Sequence, residues 1–383
     1  MTFHDAALRL KHLLIESSAR RLEYGKVGVH VSGGIDSSGV AAIISDIIDD
    51  KNRMTGYSWS PEESMDVPEG INEKMLVEDL AAQKNITIKY FSWDDQSLIE
   101  DFILPEFENV RNELQTMKQA KADGVKTVFS GWGGDEFVSL SLRGAMNHIL
   151  FCLKLPAFIR WVKHFGIKAT LSKALWETLP LFIPFGLLDR SSTKRSGYKF
   201  FKKLFILKNW KLFFFNRKKN IYGFGDRNGL MINFLENYHL PHRMDTWAIF
   251  GEKFGVEYKY PLLDKDLLEF WFSIPLKHTY ETMLHRHLYR EALNGILPER
   301  TRMRLDKREP LLRKHNLQHK LKIKRELASR GDLFSEDGCL PFFQIGEFQK
   351  LIASHTNEQK QIGHQLFDIQ FYLKYKFLCE KYL

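Results

Sequence analysis

Two glycine-rich turns in this chain carry carboxylates where an anion would be expected to bind. In Ser32-Gly33-Gly34-Ile35-Asp36-Ser37-Ser38, the glycines let the backbone approach a ligand closely and three hydroxyls add donors. Backbone N–H groups of such a turn, with the positive end of the helix that follows, favour phosphate. Asp36 is out of place there unless a cation lies between it and the phosphates, and a hard Mg²⁺ held by one or two carboxylates meets that need. Ser130-Gly131-Trp132-Gly133-Gly134-Asp135-Glu136 repeats the pattern downstream. Asp135 can face Asp36 across the same ion, so Asp36 and Asp135 are the expected metal ligands. The expected contacts for a nucleotide are Val31, Ser32, Gly33, Gly34, Asp36, Ser37, Ser38, Ser58, Ser130 and Gly131. A lysine-bearing GxxxxGK[ST] loop is absent, which excludes a Walker-type NTPase.

Those turns need strands to end at them. Lys26–Val31 reads as a short buried strand, Asp36–Asp49 as a helix, Met54–Ser60 as a second strand and Ile71–Lys84 as a helix. Ile86–Phe91 reads as a third strand, 111–123 as a helix and Val125–Ser130 as a fourth strand, while residues 5–23 form an amphipathic helix in front. Such alternation implies an α/β fold with a parallel sheet, whose ligands sit at the carboxyl ends of the strands. From about residue 140 the pattern turns helical without clear strands, with loops near Tyr260–Asp264 and Arg302–Pro310. The expected division is an α/β core over 1–145, a basic aromatic helical insertion over 146–225 and a helical part over 226–383 that completes the site.

The net charge of +9 is concentrated. Residues 151–220 hold sixteen Lys/Arg against Glu177 and Asp189, together with fifteen aromatics, so the rest of the chain is mildly acidic. That segment is either a solvated helical surface or a dock for an acidic peptide, a nucleic acid or an anionic membrane. The three scattered cysteines form no CxxC and indicate neither a disulfide framework nor a zinc site. With no signal-peptide pattern at the N-terminus and no long apolar run, a cytoplasmic protein without a transmembrane segment is expected.

The first turn resembles the signature of the PP-loop ATP-pyrophosphatases, which release AMP and pyrophosphate. Taken with Ser130–Glu136, it looks like the synthetase domain of asparagine synthetases, shared by β-lactam synthetases and lasso-peptide cyclases. Val256-Glu257-Tyr258-Lys259-Tyr260-Pro261-Leu262-Leu263-Asp264 resembles that family's VE-x-R-x-P-F-L-D block, with Lys259 where arginine is usual. Arg286 to Ala292 resembles its K-x-x-L-R-x-A block, with Arg286 in the lysine place, and Leu297-Pro298 followed by Arg304 to Lys307 resembles its LP…R-x-K block. The resemblance implies ATP and Mg²⁺ as cofactors. It assigns Lys307 as the catalytic cation opposite the charge that builds at phosphorus and at the acyl carbon. Glu257 either accepts a proton from the attacking amine or pairs with Lys259, and Arg286 either clamps phosphate or lies on an exposed helix face.

Trp132 stands where asparagine synthetases usually carry a glutamate, and SGWGGDE is the form associated with lasso-peptide cyclases. The turn that resembles the PP-loop begins at residue 32, so no glutaminase domain is expected ahead of it. The resemblance therefore implies adenylation of a peptide carboxylate and attack by an amine, with a peptide or small carboxylate as substrate and a precursor-processing protein as partner. The alternative is an ammonia-using synthetase fed by a separate glutaminase subunit. A PP-loop tRNA-modifying protein is a third reading, weakened by the lack of paired cysteines, so nucleic acid is not the expected partner. A vestigial binding protein is a fourth, opposed by intact Asp36, Asp135 and Lys307.

Overall fold

The computed structural model describes residues 1–59, 73–91, 111–139, 142–182, 203–209, 227–237, 239–305, 310–330, 333, 344–353, 366, 369–370, 372–373 and 376. These divide into two compact units. One comprises Met1–Trp93, Asn112–Leu181 and Lys219–Glu309, the other Asp94–Arg111, Phe182–Lys218 and Pro310–Leu383. Lys307 lies outside the described residues.

Strands in the first unit run β1 Val27–His30, β2 Met54–Ser58, β3 Thr87–Tyr90, β4 Thr127–Phe129 and β5 Glu257–Lys259. They form one sheet of order β3-β2-β1-β4-β5, and every pair is parallel. The helices between them are α1 Phe3–Arg20, α2 Ile35–Ile47, α3 Glu73–Lys84, α4 Arg111–Ala122, α5 Ala145–Phe151, α6 Leu155–Phe165 and α7 Ile167–Phe182. Then follow α8 Arg227–Asn237, α9 His239–Phe254, α10 Lys265–Ser273, α11 His287–Ala292 and α12 Glu299–Arg302. The four expected strands and their helices are present. β5 corrects the expectation that the pattern from about residue 140 onward is helical without clear strands. A three-residue strand is too short to show a period of two, and only its pairing with β4 defines it.

Central β1 is buried along its whole length, as a parallel strand covered on both faces must be. Val29 and Val31 join Ile43 and Ile44 of α2 and Leu10 and Leu14 of α1 in a single apolar core. Helix α1 starts with a reciprocal cap, in which the Asp5 N–H donates to Thr2 Oγ1 and the Thr2 N–H to Asp5 Oδ2, both at 3.1 Å. At its other end Arg21 donates to Asp264 at 2.7 Å, and Asp264 in turn accepts the Asp266 N–H at 3.0 Å to cap α10. The N-terminal helix is thereby fastened to the segment that follows β5.

Helices α5, α6 and α7 pack around a separate cluster containing Met146, Trp161, Tyr280 and Met283. Buried Glu177 receives the Gly144 and Met146 N–H groups and pairs with Lys173 at 2.7 Å. The outward side of these helices is apolar and cationic together: Leu155, Ile159, Ile167, Leu171 and Leu175 are exposed beside Lys154, Arg160, Lys163 and Lys168. In the second unit, α13 Pro310–Ser329 and α14 Ile345–Ala353 enclose Leu327, Phe348 and Tyr372, the last two with ring centroids 4.5 Å apart.

Candidate active site

Because β1 and β4 are neighbours, the turns that follow them meet at the carboxyl end of the sheet. The fit is too close for side chains. A Cβ on Gly131 would lie 2.5 Å from the Ser37 backbone nitrogen, and one on Gly134 would lie 2.4 Å from Asp36 Cγ. The two glycines let one turn rest on the other and give the Asp36 carboxylate its place.

Inside the first turn the hydroxyls are turned inward. Ser32 Oγ lies 2.6 Å from Ser37 Oγ and accepts the Gly34 N–H at 3.1 Å, while Ser38 donates to the Ser32 carbonyl. The Gly33 N–H donates to Glu73 Oε1 at 2.9 Å, so a carboxylate already satisfies one donor of the turn. Val31 donates to the Tyr57 carbonyl at 2.9 Å, and Ser58 is fully buried at the end of β2.

Arg286 joins the two turns. Its guanidinium donates to Asp36 Oδ2 at 2.8 Å through one nitrogen and to Asp135 Oδ1 through the other. The residue sits just before α11 with φ of +62°, a left-handed conformation uncommon for a side chain of this size and frequent at functional positions. Of the two alternatives for Arg286, the exposed helix face is the one the geometry removes, since its side chain is only 8% exposed.

Two cavities flank Asp135. One, of about 300 Å³, is lined by Gly33, Gly34, Asp135, Arg143, His285, Arg286, Arg290 and Arg304. Four guanidinium groups and the start of α2 give it a donor set that suits a polyanion. Burial, and then the charge of Arg286, push Arg290 down to about 10, which leaves it cationic at neutral pH. Arg290 is also structural, donating to the His285 and Arg304 carbonyls at 2.8 Å and to the Arg302 carbonyl. It thereby holds the stretch that leads to Lys307. Arg304 donates to the Gly33 carbonyl at 3.0 Å and clamps the first turn from above. Burial, and then the charges of Lys173 and Arg290, lower the His285 pKa from its ordinary value.

The second cavity, of about 280 Å³, is lined by His30, Val31, Ser32, Gly34, Asp36, Ser37, Trp59, Ser130, Gly131, Trp132, Asp135 and Glu136. Trp132 stacks under the Arg243 guanidinium at 4.1 Å and meets Trp247 edge-on at 5.9 Å. The cavity is aromatic on one side and carries the hydroxyls and carboxylates of both turns on the other.

The donor set fits a divalent cation. Asp36 Oδ1 is buried without a hydrogen-bond partner among the described residues, and Asp135 is held beside the same carboxylate by their shared guanidinium. Among the described residues no cluster of three His, Cys, Asp or Glu side chains forms a metal cage. Mg²⁺ needs none, because it binds through one or two carboxylates and phosphate oxygens.

The structure thus brings together Val31, Ser32, Gly33, Gly34, Asp36, Ser37, Ser38, Ser130, Gly131, Asp135 and Arg286. It does not bring Glu257. The β4–β5 register sets Thr127 opposite Glu257 and Phe129 opposite Lys259, so Glu257 stands at the amino end of the sheet. There it is 65% exposed and contacts Lys259 at 2.6 Å, the pairing alternative. Sequence reasoning passed over Arg143, Glu73, Trp59 and His30. For His30 a signal existed, since it is the one titratable side chain in the apolar run VGVHV (27–31) before the turn.

The family model described as asparagine synthase matches residues 9–377 of the chain. No curated protein matches it. Among the described residues no helix is long and apolar enough to cross a membrane.

Proposed function

This chain belongs to the asparagine synthase family, whose members are ATP-dependent amide-bond-forming ligases, and we propose that it adenylates the side-chain carboxylate of a peptide for attack by that peptide's own amine, a lasso-type macrolactam closure. The observation that carries the ligase reading is Arg286 spanning Asp36 and Asp135 between two cavities, one cationic and one aromatic. The arginine cavity suits the β- and γ-phosphates, and the aromatic cavity suits the AMP portion and the acyl group. The substrate carboxylate attacks the α-phosphorus, and the bond to the bridging oxygen breaks with its electrons on pyrophosphate. Arg286, Arg304 and the N–H groups of the first turn stabilise that leaving charge. Bound Mg²⁺, held by Asp36 and Asp135, would add charge neutralisation at the phosphates. Lys307 is assigned to the transition states by its position in the sequence pattern.

The peptide reading draws on Trp132, an apolar ring where asparagine synthetases usually carry a glutamate, and on the exposed apolar and cationic side of α6 and α7, which suits an acidic, partly apolar peptide or its carrier. On this reading the chain works in a reducing, cytoplasmic setting. The test supplies ATP, Mg²⁺ and peptides carrying an internal Asp or Glu with a free N-terminus, and reads AMP, pyrophosphate and a product lighter by one water. AMP release with that product supports cyclisation. Asparagine formed from aspartate and ammonium, with peptides inert, would instead indicate a synthetase served by a separate glutaminase.

A further inference from the structure

An amine that attacks an activated acyl group must lose a proton, and neither Trp132 nor Glu257 can take it at this site. We propose that His30 is the catalytic base of the amide-forming step, positioned by Glu113 and Tyr258. The proposal rests on the amide-ligase reading above and names a residue for its second half.

His30 is the last residue of β1, and its side chain is 5% exposed, against 1% for Glu113 of α4. The His30 Nε2 and Glu113 Oε1 atoms are 3.0 Å apart, and Tyr258 of β5 donates its hydroxyl to that same oxygen. Burial, and then the charge of Glu113, push the Tyr258 phenol far above its usual range, so it is a permanent donor. An ionised carboxylate only accepts, hence the imidazole presents its N–H to Glu113 through Nε2. That leaves Nδ1 with the lone pair. Nδ1 makes no hydrogen bond among the described residues, and His30 lines the cavity that also contains Ser32, Asp36, Ser130 and Trp132. Trp59 at 4.9 Å and Trp247 at 5.8 Å fix the plane of the ring.

The carboxylate sets the orientation of the ring. Glu113 is buried and its Oε2 has no hydrogen-bond partner among the described residues. Its Oε1 takes both the Tyr258 hydroxyl and the His30 ring N–H, so the carboxylate holds the imidazole with Nδ1 free to accept. In the step itself the amine nitrogen forms a bond to the acyl carbon. The bond from that carbon to the AMP oxygen breaks, and its electron pair leaves on AMP. The proton lost by nitrogen goes to His30 Nδ1 and from there to water.

Two nucleophiles separate this role from simple pocket-building. Hydroxylamine is largely unprotonated at neutral pH and its adduct sheds a proton to water unaided, whereas ammonium chloride supplies a nucleophile that needs a base. With ATP, Mg²⁺ and free aspartate, free glutamate or N-acetylated peptides bearing Asp or Glu, wild-type protein should form both hydroxamate and amide. His30→Gln, whose amide can still reach Glu113, should keep hydroxamate formation while amide formation falls by roughly a hundredfold or more. Glu113→Gln, which keeps both contacts to the buried oxygen, should show the same split. Equal loss of both products in His30→Gln would make His30 a nucleotide or acyl contact and overturn the proposal, as would two unchanged rates. If His30→Gln did not fold, the absence of a split in Glu113→Gln would overturn it. A wild type that releases no AMP and forms no hydroxamate with any of these carboxylates would overturn the ligase reading, and the base with it.

Discussion

Arg286 and Asp36 are 250 residues apart in the chain, yet the guanidinium donates to the carboxylate at 2.8 Å. Asp135 takes the other arm of the same guanidinium, which makes the three residues one electrostatic unit. Replacing Asp36 by Asn should reduce AMP release by roughly a hundredfold or more, through loss of charge at the phosphates. Asp135 is the more exposed of the two carboxylates. Asp135→Asn should raise the Mg²⁺ concentration for half-maximal AMP release by about tenfold or more. Chromatography of spent ATP across a Mg²⁺ titration measures both, and wild-type turnover in either variant would remove these residues from the site.

Gly131→Ala tests the seating of one turn on the other. The added Cβ would meet the Ser37 backbone nitrogen at 2.5 Å, and a backbone atom cannot rotate aside. The expected cost is about 1 to 3 kcal/mol of stability together with weaker nucleotide binding. A urea unfolding curve and a nucleotide titration report the two effects, and an unchanged urea midpoint would show that the turns do not rest on each other.

Arg304 and Lys307 should fail differently. Arg304 clamps the Gly33 carbonyl and lines the arginine cavity, so Arg304→Gln should chiefly raise the ATP Kd. Lys307→Met, by its assigned role, should lower kcat by about a hundredfold, roughly 3 kcal/mol, with little change in Kd. Nucleotide binding and single-turnover rates for the pair decide between them, and the reverse pattern would exchange their roles.

Asp264 ends one of the recognised sequence blocks, yet its contacts are structural. Burial opposes its ionisation, but the hydrogen bond from Arg21 and the charges of Arg21 and Arg20 outweigh that and hold its pKa below the usual carboxylate range. A depressed folded-state value means the stabilisation is complete above the unfolded value, near ~3.9, and is lost as pH falls through the folded one. Asp264→Asn keeps a capping side chain and removes the charge. It should cost about 2 kcal/mol at pH 7 and progressively less as pH falls below about 4. Urea midpoints at pH 7 and pH 3 measure the difference, and an equal deficit at both would assign the loss to capping alone.

The local features of this protein were legible in its residues. An apolar run, two glycines, an aspartate and a helical period are set by bonded neighbours, so β1, β4 and their turns could be read in place, Asp36 and Asp135 included. Pairings between distant segments were not. That β4 lies beside β1 is decided by helix packing and sheet order, and only this adjacency joins Asp36, Asp135 and Arg286. The β4–β5 register, again a tertiary fact, carries Glu257 to the wrong end of the sheet while setting Tyr258 against Glu113. His30 looked like one polar residue in an apolar strand, and its partner comes from a helix that no local period links to β1. Side-chain chemistry is encoded residue by residue, but the distances that turn it into a site arise when the sheet closes and the apolar faces of α1, α2 and β1 are buried together.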